Sequence, residues 1–243
     1  MSAEEVERLL AEAEALIQQE RYEEALAAYD QAIALDSTLA ESYANKGSLL
    51  WNLGRHTEAL AAYQRACALE PDNADFLMSQ GDLLQVLERD EAALAAYDAA
   101  LRLEPDNAEC WATQGELLQE LGRFEAALDA YARALDLEPD NFAIALCKAD
   151  VLRELGRDEA ALAAYDAALT LDPTSADAHN GKGFVLEALG QPLRALTAYD
   201  QAIFCDAHFA PAWHNKANLL TRLGRYAEAE RARQRANKLG YNW

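Results

Sequence analysis

The sequence predicts an all-α solenoid of seven helix-turn-helix repeats, on three observations: a 34-residue period, two all-alanine columns, and chain breaks that return at fixed places in the period. Copies begin at Val6, Ala40, Ala74, Ala108, Phe142, Ala176 and Ala210. Position 20 reads Ala25, Ala59, Ala93, Ala127, Ala161, Ala195 and Ala229, and position 27 is alanine from Ala32 to Ala236. A fixed period of this length marks a chain whose repeats bury their apolar stripes against their neighbours. The copies 6–39, 40–73, 74–107, 108–141, 142–175, 176–209 and 210–243 leave only a lead-in, 1–5. The chain therefore reads as one repeat domain, with no room for a compact catalytic domain.

Within a copy, helical spacing appears twice. Trp111, Gly115, Leu118 and Leu121 recur at intervals of three and four, Leu121-Gly122-Arg123 interrupts, and Ala127, Tyr131, Ala134 and Leu137 resume the stripe. Glycine ends the first helix, and Pro71, Pro105, Pro139 and Pro173 follow the second, where a fixed φ and a missing N–H stop it. Glu20 and Glu88 replace the inter-helix glycine, so those turns either do without a positive φ or tolerate strain. At the start, Ser2 and Glu5 are spaced as a capping box.

The core is expected from three columns. Position 8 holds Ala13, Gly47, Gly81, Gly115, Ala149, Gly183 and Ala217, read as facing the position-20 alanines in close helix contact. Tyr29, Tyr63, Tyr97, Tyr131, Tyr165 and Tyr199 at position 24 fill the seam. Burying such a ring is worth about 1.5–3 kcal/mol, so these columns read as core before cofactor box. Ala130 is expected on the exposed side.

The chain after its first five residues is identified by these residues as resembling the tetratricopeptide repeat family, whose Trp, Gly, Ala, aromatic, Ala, Pro pattern is met by Trp111, Gly115, Ala127, Tyr131, Ala134 and Pro139. The resemblance implies a right-handed α-solenoid superhelix, first helices on the concave face, and recognition of a peptide or protein partner there, not catalysis. Position 7 departs from the pattern, with Lys46, Gln80, Gln114, Lys148, Lys182 and Lys216 in place of leucine. In relatives, asparagines at position 6 hold peptide backbone. Asn45 and Asn215 match that column, but Ser79, Thr113, Cys147 and Gly181 interrupt it. The two-carboxylate clamp for chaperone tails is not reproduced, since Phe184 stands where it needs asparagine.

With positions 4, 8 and 11 turned inward, positions 2, 5, 6, 9, 12 and 13 fall on the groove side. Position 9 reads Glu14, Ser48, Asp82, Glu116, Asp150, Phe184 and Asn218, a column rich in carboxylate. Trp51 and Phe184 are groove aromatics, and Asn180 joins Asn215 and Asn218 as groove amides; either aromatic has the alternative of packing on a neighbouring helix. The formal charge of −21 favours basic protein partners over nucleic acid, whose binding requires Lys and Arg. The same carboxylates also read as a solvated face.

Charge is uneven. Residues 210–243 carry +5 and residues 1–209 carry −26. Arg231, Arg233, Arg235 and Lys238, with Tyr241 and Trp243, read either as a polar terminal cap on a monomer, the favoured form, or as one half of a head-to-tail contact between copies. Cys67, Cys110, Cys147 and Cys205 have no metal or redox spacing and read as free thiols. His179, His208 and His214 lack ligand spacing, and no cofactor motif, secretory leader or membrane span is visible, so cytoplasm is the expected location. The leading expectation is a non-enzymatic scaffold or adaptor; the alternatives are a self-assembling structural protein and the regulatory part of a larger enzyme.

Overall fold

The computed structural model describes residues 3–241, and every regular element among them is an α-helix. The chain divides into two compact units, Met1–Cys110 and Trp111–Trp243. The helices run in pairs: α1 (Ala3–Gln18) with α2 (Tyr22–Leu35), α3 (Ala40–Asn52) with α4 (His56–Leu69), α5 (Ala74–Val86) with α6 (Asp90–Leu103), α7 (Ala108–Glu120) with α8 (Phe124–Leu137), α9 (Phe142–Glu154) with α10 (Asp158–Leu171), α11 (Ala176–Ala188) with α12 (Pro192–Cys205), and α13 (Ala210–Arg222) with α14 (Tyr226–Lys238). Six first helices start on the first residue of a sequence copy; α1 starts three residues ahead of Val6. Ser2 of the expected capping box lies outside the described residues.

Each first helix ends in the same hydrogen-bonded turn. Gly122 N–H donates to the Gln119 carbonyl at 2.9 Å and Arg123 N–H to that of Leu118 at 2.8 Å, with φ +70° at Gly122. This crossed pair satisfies carbonyls that a helix end leaves open. The turn demands the left-handed conformation even where glycine is missing, for Glu20 has φ +59° and Glu88 φ +55°. Of the two alternatives the sequence left, strain is the one realised. The Pro-Asp-Asn segments prepare the next first helix: Asn73, Asn107 and Asn141 accept through Oδ1 from the N–H three residues on, at 3.2, 2.9 and 3.3 Å, and Ser175 does so through Oγ at 3.1 Å. Such a cap is worth about 1 kcal/mol.

The alanine columns and tyrosines are buried as expected, but two packing expectations are corrected. At position 8 the group met first is not the position-20 alanine, although a Cβ on Gly47 would also lie 3.4 Å from the Ala59 carbonyl oxygen. A Cβ on Gly47, Gly81, Gly115 or Gly183 would come within 2.8, 2.6, 2.8 or 2.5 Å of the tyrosine ring of the same repeat, so glycine is there to admit the ring. Ala130 is not exposed; it is 2% accessible, because α8 buries positions 20, 23, 24 and 27 together. Position 10 joins the core through Leu49, Leu83, Leu117, Val151, Val185 and Leu219.

Polar contacts join successive repeats within each unit. Lys46 reaches Asp30 and Lys182 reaches Asp166, both at 2.5 Å, and Lys216 pairs with Asp200. The family departure at position 7 thus puts an ammonium opposite a carboxylate at position 25 of the preceding repeat. Arg55 reaches back to Glu23 at 3.3 Å and Arg157 to Glu125 at 2.7 Å.

Candidate functional site

Repeats three to six place the tyrosine hydroxyl against positions 9 and 12 of their first helix. Tyr97 donates to Asp82 at 2.8 Å and to Gln85 at 3.2 Å, and Tyr131 to Gln119 at 3.0 Å. Tyr165 donates to Asp150 and Tyr199 to Glu187, each at 2.5 Å, and Arg153 Nε donates to the Tyr165 oxygen at 3.2 Å. Asp82 and Asp150 are therefore acceptors that satisfy buried phenols as well as charges on a surface. Burial raises the phenols of Tyr131, Tyr165 and Tyr199 well above their usual range, which keeps them protonated as donors.

In the second unit a cavity of about 440 Å³ is lined by Glu116, Glu120 and Glu154 with Phe124 and Cys147. α7 supplies the first two carboxylates from positions four apart, hence on one helix face, and the end of α9 supplies the third. Burial, then the charge of Glu120, raises the Glu116 carboxyl above its ordinary value. All three carboxylates are exposed, and Glu154 also pairs with Arg153 at 2.9 Å, so this is an open acidic surface whose attraction for a cation is led by Glu116 and Glu120 and weakens with salt.

A cavity of about 290 Å³ in the same unit is formed by α11, α12 and α13. Phe184, Ala188 and Tyr199 meet Asn215, Asn218 and Arg222 there, with Glu187 beneath. Phe184 is 50% exposed, and the Arg153 guanidinium lies over its ring at 5.4 Å. Asn215 Nδ2 donates to Asn180 Oδ1 at 2.9 Å, and Asn218 Nδ2 lies 3.0 Å from His214 Nε2. Glu187 accepts from Tyr199 and pairs with Arg222, so its charge is met inside the cavity.

Family profiles described as tetratricopeptide repeat match residues 44–108 and 113–176, and others of the same description match 13–54, 96–129, 164–197 and 210–239. This chain belongs to the tetratricopeptide repeat (TPR) family. YrrB, described as a TPR protein with an unusual peptide-binding site, is similar to it at 26% identity and TM-score 0.70, over 77% of this chain and 97% of YrrB. A TPR protein from Parabacteroides merdae shares the fold at 17% identity and TM-score 0.70, over 99% of this chain and 95% of that one. MamA shares it at 21% identity and TM-score 0.64, over 68% and 91%. Among curated proteins no sequence matches.

Of the groove residues expected from sequence, this TPR chain brings Phe184, Asn215 and Asn218 to one cavity, with Asn180 bonded beside them, and Glu116 to the other. Asp150 is tied to Tyr165 and Arg153. Asn45, Trp51 and Asp82 belong to the first unit; Asn45 is exposed, and Trp51 is half-buried, edge-on to the His56 ring at 6.3 Å. Phe124 was missed: it heads α8, at a position whose residue type varies among the copies and carries no periodic signal.

In the last TPR repeat, Arg231, Arg235 and Lys238 are exposed, Arg233 pairs with Glu230 at 3.3 Å, and Tyr241 sets its ring edge-on to His214 at 4.9 Å. Trp243 lies outside the described residues. Burial pushes the thiol of Cys67 up to about 11 and that of Cys110 up to about 12, so neither is a nucleophile at neutral pH. Among the described residues no group of His, Cys, Asp or Glu is placed to hold a metal, and no helix is long and apolar enough to cross a membrane.

Proposed function

We propose that this TPR protein is a non-enzymatic scaffold that holds an extended segment of a protein partner against the first helices of its second unit, with a Lys or Arg of that segment over Glu116, Glu120 and Glu154. The convergence of those carboxylates on one cavity of about 440 Å³ carries the reading. The raised carboxyl of Glu116 supports it, since an arriving cation relieves repulsion that Glu120 imposes. The net charge of −21 favours basic protein segments and disfavours nucleic acid. The peptide-binding site named for YrrB is a further support by similarity. The amides of Asn180 and Asn215 spend one donor and one acceptor on each other, leaving groups suited to a peptide backbone. The test is selection from a random-sequence peptide display library by the whole chain. Wild type enriches Lys- or Arg-containing peptides; the E116Q/E120Q/E154Q variant does not. Enrichment indifferent to charge refutes the reading.

A second reading, head-to-tail contact between copies, is favoured by the outer face of the first repeat. A cavity of about 420 Å³ there is lined by Leu9, Leu16 and Ala28 with Glu12 and Glu24, opposite in charge to Arg231, Arg235 and Lys238. The Arg8–Glu12 and Arg21–Glu24 pairs already engage those carboxylates, so the monomer remains the preferred form.

A further inference from the structure

We infer that the cavity around Phe184 is a subsite for an aromatic side chain, supplied by the same peptide whose basic residue lies over Glu116, Glu120 and Glu154. The inference rests on the scaffold reading above and adds to it the second element of the recognised segment.

Phe184 occupies a column otherwise filled by Glu14, Ser48, Asp82, Glu116, Asp150 and Asn218. Its ring is half exposed, with a guanidinium on one side. Arg153 is held in that place by three contacts: Tyr165 at 3.2 Å, Glu154 at 2.9 Å and Asp150 at 3.5 Å. The ring is therefore backed by a fixed cation while the rest of its surface opens into about 290 Å³.

The charge inside this cavity is balanced. Glu187 is engaged by Tyr199 and Arg222, so a lysine entering here finds no spare carboxylate, and a carboxylate would have to displace Glu187 from Arg222. A neutral side chain is thus selected. An aliphatic one would use only the apolar wall of Phe184 and Ala188. An aromatic one also uses the Phe184 ring in an offset or edge-on contact and the Arg222 guanidinium, whose side chain is 64% exposed, as a cation partner.

Arg153 also joins the two cavities. Its guanidinium touches Glu154, which lines the acidic one, and covers Phe184, which lines the neutral one. One extended peptide crossing this arginine presents a cationic residue to one side and a ring to the other.

The display experiment is repeated with F184A, F184Y and E116Q/E120Q, which leaves the Glu154 contact to Arg153 in place, each first checked for wild-type helix content by circular dichroism. Wild type enriches peptides that pair Lys or Arg with Phe, Tyr or Trp. F184A loses the aromatic preference and binds a selected peptide about tenfold more weakly, which is about 1.4 kcal/mol; F184Y keeps both. The charge-neutralised variant keeps the aromatic preference and loses the basic one. Should F184A fail to fold, F184L, which keeps the bulk without the ring, takes its place. Basic peptides enriched without an aromatic, or an aromatic preference that survives F184A or F184L, overturns the inference and leaves the scaffold reading standing. No enrichment at all overturns both.

Discussion

The Cβ that Gly181 lacks would lie 2.5 Å from Cε1 and Cζ of Tyr165, a ring belonging to the preceding repeat. In repeats two, three, four and six the tyrosine is admitted by a glycine at position 8 of its own repeat, as Gly115 admits Tyr131. In the fifth repeat that place is Ala149, and the ring finds its glycine one repeat onward. G181A should therefore destabilise the chain by about 1–3 kcal/mol, the usual result of overpacking. A149G should recover part of the loss, by reopening the place the ring occupies in other repeats. Thermal melts of the two single variants and the double variant read the coupling; strict additivity would show the two positions to be independent.

Glu20 and Glu88 hold a conformation that costs a non-glycine residue about 1–2 kcal/mol. E88G should raise stability by about 0.5–1 kcal/mol, the strain relieved less the entropy glycine brings to the unfolded chain. A denaturant midpoint equal to or below wild type would count against strain at this turn.

Ala127, fully buried, and Ala126, exposed, give a matched pair in α8. A127L should cost about 1–3 kcal/mol and A126L nearly nothing. Ala130 cannot serve as the exposed control, since it is buried.

Neutralising the groove carboxylates separates two jobs. D150N weakens acceptance from Tyr165 and Arg153 and should lower stability by about 1 kcal/mol, whereas E116Q, free of such a bond to tyrosine, should leave the melting temperature within error. Binding of a basic peptide should respond the other way, falling with E116Q and with rising salt. The raised carboxyl of Glu116 takes up its proton at a higher pH than an ordinary glutamate does. Affinity should accordingly begin to fall on acidification before simple carboxylates titrate. Titrations by fluorescence anisotropy down a pH series check this; an affinity that holds until the ordinary range is reached removes Glu116 from the contact.

Sedimentation at rising protein concentration tests end-to-end contact. The monomer reading expects one species throughout. Growth that disappears on reversing Arg231, Arg235 and Lys238 would favour the charged contact, and growth that survives reversal would place the contact elsewhere.

The repeat register, the helix pairs and the buried alanine and tyrosine columns could be read from the sequence because each rests on periodicity, which seven copies repeat. What could not be read are the exceptions. Gly181 looks like an interruption of an asparagine column until the ring of Tyr165 is seen against it. Asp82 and Asp150 look like members of a free acidic stripe, because a hydrogen bond from a tyrosine fifteen residues on leaves no spacing signature distinct from the repeat itself. Phe184 and Asn215 were visible as odd residues in their columns, but their meeting in one cavity depends on how α11 and α13 are set.

The joints between repeats are also unlike one another. Repeats one and two are held by Lys46 with Asp30 and by Arg55 with Glu23. At the joint between repeats two and three the corresponding positions hold Gln80 with Gln64 and Arg89 with Thr57, so neither ion pair can form. Repeat three also carries the strained turn at Glu88. In a linear array each repeat leans only on its neighbours, and opening begins where the local balance is poorest. The joint before the third repeat is therefore a natural point of entry for solvent and protease into the first unit.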